Sequence, residues 1–286
     1  MPPLEKLGLR QRETKMNILF VCTGNTCRSP MAEAILKAKN LKNISVKSAG
    51  LLANGQPISE NSLKALKNIG IDYSGFVSTP LTRELVLWAD AVFCMSESHK
   101  NALKGFNNVF VLGQGISDPF GGNLSVYESC RDQIKNEIDR LAGEVIFLAG
   151  EKDFGDIAAL EKECFSEPWS ENAIKEGYEN STHYICFRQF GKILGYVGVQ
   201  TVLDEGYITN VAVLKAARRW GIAEKLLSAL IDFAKEKGLK FLTLEVRESN
   251  EAARSLYEKC GYKTVGQRRG FYQNPKEDAI LYTREV

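Results

Sequence analysis

Short apolar runs alternate with longer amphipathic stretches through the first half of the chain. Residues 16–21 form an apolar run broken only by Asn17, which predicts a buried strand. Pro30 stands where the first turn of a helix tolerates proline, and Met31, Ala34, Ile35 and Ala38 draw an apolar stripe behind it. The pattern then predicts a strand over 44–49, a helix around Leu63, Leu66 and Ile69, and a helix over 82–88. Strands over 91–95 and 109–112 follow, and a long helix carrying Val126, Cys130, Ile134, Ile138 and Leu141 ends the half. Such alternation implies α/β architecture, a parallel sheet covered by helices.

The second half has a different rhythm. A strand over 145–148 leads into helices over 157–164 and 169–174, then three successive strand-like stretches between Tyr184 and Val213 suggest antiparallel pairing. A helix over 221–235, a strand over 241–246, a helix over 251–259 and strands near Tyr262 and Ile280 complete an α+β layout. We expect a flexible lead at 1–15, a first domain over 16–143 and a second over 144–286. No Pro/Gly/Ser-rich linker and no repeat marks the junction, so the two are expected to abut.

Composition narrows the classes. The 286 residues are 44% hydrophobic and 25% charged, enough apolar material for two cores and too balanced for disorder. The run at 145–149 is far shorter than the ~20 residues of a membrane span, and the first residues lack a signal-peptide pattern. A cytoplasmic protein without a membrane partner is expected. Seven scattered cysteines, an odd number, read as free thiols. Two histidines, His99 and His183, and the lack of any Cys-x-x-Cys pair leave few parts for a metal site or a histidine-assisted cysteine protease. Net charge is +2, divided as 17 basic and 13 acidic residues up to Gly143 and 20 and 22 after it. Neither half is a nucleic-acid surface by charge.

Between the first strand and its helix stand Cys22, Thr23, Gly24, Asn25, Thr26, Cys27, Arg28 and Ser29. In that place successive backbone N–H groups and a helix N-terminus can converge on a phosphate. Cys22 would lie at the bottom of the cradle, where the field that holds an anion also favours a thiolate nucleophile. Arg28 can offer a bidentate fork to two phosphate oxygens, and Ser29 is placed to hydrogen-bond the thiolate. Gly24 is expected to permit the tight turn, and Asn25 to tolerate left-handed angles. Cys27 fits either a packing role or that of a second thiol trapping an oxidised Cys22. Cys94 and Cys130 fall on apolar faces and read as core.

Residues 21–30, Val-Cys-Thr-Gly-Asn-Thr-Cys-Arg-Ser-Pro, resemble the signature V-C-x-G-N-x-C-R-S-P of the low-molecular-weight protein phosphatases. The likeness extends over about 16–142, through Ser48-Ala49-Gly50, Gly55 with Pro57, Leu81-Thr82, Trp88-Ala89-Asp90 and Asp118-Pro119-Phe120-Gly121-Gly122. It implies a phosphocysteine on Cys22, Asp118 as general acid and Phe120 against a phosphorylated protein substrate. Cys-Thr-Gly-Asn-Thr and Asp-Pro-Phe-Gly-Gly look like the protein-arginine phosphatases. Tyrosine-directed members tend to have an aliphatic residue where Thr26 stands, and phosphotyrosine is the alternative substrate. Gly75-Phe76-Val77 departs from the family, where a His and a basic residue are common. An arsenate reductase on the same fold would need Cys94 or Cys130 as a thiol relay.

The second motif, Arg218-Arg219-Trp220-Gly221-Ile222-Ala223, fits R-x-x-G-x-A at the start of an amphipathic helix, where free N–H groups can hold phosphate oxygens. The strand before it, 207–213 with Val211 and Val213, could pair with an extended pantetheine-like arm. Together these resemble the GNAT acetyltransferases over about 145–286. Pro168-Trp169-Ser170, Leu244-Glu245-Val246-Arg247, Ser249-Asn250, Leu256-Tyr257-Glu258, Arg268-Arg269 and Glu277-Asp278-Ala279 look like the ribosomal-protein N-terminal alanine acetyltransferases. The resemblance implies acetyl-CoA as co-substrate and a ribosomal protein's N-terminus as acceptor. It further implies Glu245 as base, Tyr257 as acid, Asn250 at the cofactor, and Arg268 and Tyr272 at the peptide. Phe271 stands where a Tyr is frequent. A CoA-sensing module without turnover is the rival. His183 reads as an ordinary strand residue, and Cys164, Cys186 and Cys260 as core.

Overall fold

The computed structural model describes residues 15–41 and 43–286; of the expected lead at 1–15, all but Lys15 lie outside the described residues. The chain divides into two compact units, one ending at Gly143 and the other beginning at Glu144.

The first unit runs β1 (Met16–Cys22), α1 (Arg28–Ala38), β2 (Ile44–Gly50), α2 (Glu60–Lys67), α3 (Arg83–Trp88), β3 (Ala91–Cys94), α4 (Glu97–Asn101), β4 (Val109–Val111) and α5 (Leu124–Ala142). Its sheet has the order β2-β1-β3-β4 and every pairing is parallel, as the alternation requires. Ile18, Leu19, Phe20 and Val21 of the central strand are each at most 1% exposed. Burying side chains of this size contributes roughly 1.5–3 kcal/mol apiece. Ser59, Thr82 and Asn123 cap α2, α3 and α5 through their side chains, each worth about 1 kcal/mol. Two expected core positions are exposed, Ala38 and Val126; Leu36 and Tyr127 take the buried faces instead. The register of β1 against β2 ends with Cys22 opposite Gly50.

The second unit runs β5 (Val145–Leu148), α6 (Phe154–Cys164), α7 (Glu171–Glu179), β6 (Thr182–Gln189), β7 (Lys192–Val202), β8 (Glu205–Val213), α8 (Ile222–Lys237), β9 (Phe241–Arg247), α9 (Glu251–Lys259), β10 (Lys263–Gln273) and β11 (Lys276–Glu285). Its sheet has the order β10-β11-β9-β8-β7-β6-β5, antiparallel except where β8 meets β9. That parallel ladder covers only Glu205–Tyr207 with Phe241–Thr243, and beyond it the two strands part. On its other edge β8 pairs with β7 to its end, with a bulge at Thr209 between the pairs Gly198↔Asn210 and Val199↔Ile208. Phe154, Ile157, Leu160, Ile174, Tyr184 and Tyr196 fill the core between α6, α7 and the sheet. Within it Glu161 is fully buried, its carboxylate accepting from Tyr196 hydroxyl at 2.5 Å, Asn210 amide at 3.0 Å and Trp169 N–H at 2.9 Å. Cys186 is core, whereas Cys164 and Cys260 are only half-buried, a departure from the sequence reading.

Candidate active sites

The strand β1 delivers Cys22 to the floor of a loop that wraps back into α1. Cys22 is 3% exposed, and its Sγ lies 3.0 Å from Ser29 Oγ and accepts the Asn25 backbone N–H at 3.2 Å. The left-handed residue of the loop is Asn25, with φ +53°, as its residue type allows; Gly24 has no such angle. Three hydrogen bonds hold that conformation. Asn25 Nδ2 donates to Ser29 Oγ and to Ser48 Oγ, both at 2.8 Å, and its Oδ1 accepts the Thr79 N–H at 2.7 Å. The glycine the loop does need is Gly50. A methyl there would stand 2.7 Å from the Thr23 carbonyl and 2.8 Å from the Asn25 nitrogen.

Arg28 opens α1 with its side chain buried, Nη1 donating to the Ile116 carbonyl at 3.3 Å and Nη2 to Asp118 Oδ2 at 2.5 Å. The Asp118 carboxylate is half-exposed, and its Oδ1 accepts the Phe120 N–H at 3.2 Å. Cys22, Thr23, Gly24, Thr26, Cys27, Arg28, Asp118 and Phe120 line one cavity of about 290 Å3, with the Phe120 ring 83% exposed at its rim. The structure therefore brings together the residues expected from two stretches ninety positions apart. Cys27 Sγ lies 3.5 Å from Ser59 Oγ and 3.6 Å from the Tyr127 hydroxyl. Burial pushes the thiols of Cys94 and Cys130 up to about 12, which disfavours the thiolate that a relay would use.

One residue at this site escaped the sequence reading. His99, on α4 and 4% exposed, has Nε2 2.9 Å from Thr23 Oγ1 and Nδ1 2.6 Å from Ser96 Oγ. Burial, and then the charge of Arg28, lower its proton affinity, so it is held neutral. Neither the short helix α4 nor a lone histidine 76 residues away carried a signal in the chain.

In the second unit, Arg218 is extended, Arg219 and Gly221 have φ of +69° and +77°, and Gly221 begins α8 without a side-chain cap. The first N–H groups of α8 are thus open, those of Ile222 and Ala223 among them. The Ile222 side chain is buried, so only its backbone can serve an anion. Arg218 Nε donates to the Val213 carbonyl at 3.2 Å, tying the loop to the end of β8. The parted segment of β8 carries Val211 and Val213, with backbone groups facing a gap that an extended chain can fill. Among the described residues, Thr209 Oγ1 on β8 and Trp220 Nε1 in the loop before α8 are buried polar atoms without a partner. Open helix N–H groups, an unpaired strand edge and two arginines fit a pyrophosphate with an amide-bearing arm.

Glu245 lies on the parted end of β9, paired through Oε1 with Arg268 Nη1 at 3.1 Å. The Tyr272 hydroxyl donates to the Glu245 carbonyl at 3.3 Å, and the Arg247 guanidinium stacks 4.1 Å from the centre of the Tyr272 ring. Tyr257, on α9, is 7% exposed among the rings of Tyr262 and Tyr282, and burial holds its phenol protonated far above the ordinary tyrosine range. Asn250 caps α9, its Oδ1 accepting the Ala253 N–H at 3.2 Å. Phe271 packs edge-on to Tyr272, and His183, on β6, packs against Phe233 at a tilt of 55°. No helix among the described residues is long and apolar enough to cross a membrane, and no cluster of three or more His, Cys, Asp or Glu among them could hold a metal ion.

Known proteins resemble each unit separately. The family described as low molecular weight phosphotyrosine protein phosphatase matches residues 17–147, and the acetyltransferase (GNAT) family matches residues 154–262. A protein-arginine-phosphatase of Geobacillus stearothermophilus is 42% identical over 138 residues, 44% of this chain and 93% of its own. The ribosomal protein bS18-alanine N-acetyltransferase of Haemophilus influenzae is 36% identical over 132 residues, 45% of this chain and 90% of its own. A low molecular weight protein-tyrosine-phosphatase, PtpB of Staphylococcus epidermidis, is also similar, at 36% over 137 residues, 44% of this chain and 96% of its own.

Proposed function

Since the chain belongs to the low-molecular-weight protein phosphatases in its first half and to the GNAT acetyltransferases in its second, we propose that it is one bifunctional enzyme. The first unit hydrolyses phosphoarginine in proteins through Cys22, and the second acetylates the N-terminal alanine of a ribosomal protein. The convergence of Cys22, Arg28 and Asp118 on one small cavity carries the first reading; the parting of β8 from β9 above an uncapped α8 carries the second.

In the first unit the Cys22 thiolate attacks phosphorus and the P–N bond breaks. Asp118 gives its proton to the departing nitrogen, and Ser29 steadies the sulfur by its hydroxyl. Arg28, now on Asp118, is within reach of the phosphoryl oxygens, whose charge its fork matches. Asp118 then takes a proton from water, which displaces Cys22 from phosphorus and frees phosphate. The polar Thr26 on the cavity wall suits a guanidinium leaving group better than the phenyl ring of phosphotyrosine.

In the second unit, Arg218, Arg219 and the first N–H groups of α8 would hold the pyrophosphate, and the edge of β8 at Val211 and Val213 would hold the arm. Bound acetyl-CoA supplies an activated acetyl thioester. Glu245 takes a proton from the incoming ammonium through water, and the buried phenol of Tyr257 is the proton source for the leaving thiolate. Arg268, on the Glu245 carboxylate, and Tyr272 border the peptide site.

The test is turnover of phosphoarginine and phosphotyrosine peptides side by side, with Cys22→Ser as blank and Thr26→Ile as the probe of specificity. Preference for phosphoarginine, reversed by Thr26→Ile, is expected; phosphotyrosine-led turnover would refute the arginine assignment. A parallel assay with acetyl-CoA and an alanine-initiated ribosomal peptide tests the second unit, where binding without transfer would refute it.

A further inference from the structure

A second and larger cavity of the first unit, about 590 Å3, is lined by Glu33, Lys37, Lys47, Asp72, Tyr73 and Phe76 among others. None of these residues has a part in the chemistry above. The Glu33 carboxylate is 7% exposed, and Lys37 sits on its Oε1 at 2.5 Å while also donating to the Tyr73 hydroxyl at 3.1 Å. Its Oε2 accepts the Ser48 hydroxyl at 2.6 Å.

That last bond links the cavity to the nucleophile. Ser48, its proton committed to Glu33, can only accept from Asn25 Nδ2 at 2.8 Å. The Asn25 amide is oriented by the Thr79 N–H, so its other proton goes to Ser29 Oγ. The Ser29 proton is thereby left for Cys22 Sγ at 3.0 Å, ahead of the Ala49 carbonyl at 3.5 Å. One unbroken series of bonds thus runs from a buried carboxylate in one cavity to the sulfur in another.

We propose that the larger cavity is a regulatory site for a guanidinium-bearing ligand, an arginine side chain or a small analogue, which takes the place of Lys37 on Glu33 and slows turnover at Cys22. The position already holds a cation. Lys37 is half-exposed and can swing into water, with its side chain 48% accessible. Tyr73 and Phe76 stack at 5.2 Å and 22°, a surface suited to a planar ion, and Lys37 Nζ already lies 5.5 Å from the Tyr73 ring centre. Asp72 adds negative charge, while Lys47 is turned onto the Trp88 ring at 4.4 Å. A guanidinium differs from the ammonium in engaging both carboxylate oxygens at once. It therefore competes with Ser48 for Oε2, and a released Ser48 no longer fixes Asn25 or directs the Ser29 proton to sulfur.

The proposal rests on the phosphatase reading of the Cys22 cavity but not on phosphoarginine as its substrate, so it is tested with an aryl phosphate. Nα-acetyl-arginine amide, added to the full chain hydrolysing p-nitrophenyl phosphate, should lower kcat about fivefold with KM unchanged. Calorimetric titration of the Cys22→Ser chain reads binding without turnover. Lys37→Met should tighten binding about tenfold by removing the competing ammonium, and Tyr73→Leu should weaken it by a similar factor. A rise in KM alone would place the ligand in the Cys22 cavity and overturn the proposal. So would equal binding of the uncharged citrulline analogue, no heat of binding, or no gain from Lys37→Met. A chain inactive on every phosphate ester but still binding the arginine analogue at Glu33 would sink the phosphatase reading and leave the binding site standing.

Discussion

The two sites in this chain are built in opposite ways. Around Cys22 most of the groups come from one loop and the first turn of one helix, joined by Asp118 and Phe120 from a second loop, and internal hydrogen bonds hold the cradle before any ligand arrives. Around Glu245 and Tyr257 the groups come from β8, α8, β9, α9 and β10, the Glu245 carboxylate pairs with the exposed Arg268, and a strand edge stays open. The first arrangement suits a small, highly charged group that must meet prearranged donors. The second suits a long cosubstrate and a flexible peptide, whose own backbone completes the sheet.

The sharpest way to break this contrast is to remove one nucleophile. Cys22→Ser should abolish phosphatase turnover, by on the order of a thousandfold or more, while acetyl transfer by the same preparation is unchanged. Tyr257→Phe should do the reverse more mildly, lowering acetyl-transfer kcat about a hundredfold and leaving phosphate release alone. Loss of both activities in either variant would mean that the sites are not independent.

Preorganisation itself is probed by Gly50→Ala, whose added methyl meets backbone at 2.7 Å. It should cost about 1–3 kcal/mol in denaturant unfolding of the first unit and lower phosphatase kcat about tenfold, with no change in acetyl transfer. The smallest effect concerns His99. Because its folded proton affinity is lowered from the ordinary value of 6.5, the unfolded chain binds more protons through that window. Stability is therefore present above the ordinary value and lost as pH falls through the lower, folded one. Thermal scans between pH 7.5 and 5 should show this loss in the first unit, and His99→Gln should flatten it.

The same difference governs what could be read from the chain. Cys22 to Pro30 is contiguous, so strand, cradle, arginine and helix were visible together, and the resemblance through Asp118-Pro119 supplied the acid. Periodicity gave the long elements but not α4, whose five residues are too short to show a stripe. His99 could not be placed beside Thr23 without the turn that brings β3 back to the cradle. Gly50 and Gly24 were equivalent as letters; only the approach of Thr23 to β2 separates them. In the second unit the loop at 218–223 was legible as an anion-binding helix start, but Glu245, Tyr257, Asn250, Arg268 and Tyr272 depended on resemblance, since β9, α9 and β10 converge by topology and not by spacing. Glu161 shows the limit plainly, a charged letter on a helix that proves to be fully buried.

The parting of β8 from β9 also makes one strand its own gauge of occupancy. Along residues 208–213, amides bonded to β7 should exchange with deuterium slowly, and those facing the gap quickly. A filled gap erases that two-residue alternation without any turnover. Strand occupancy thus becomes countable in mass units.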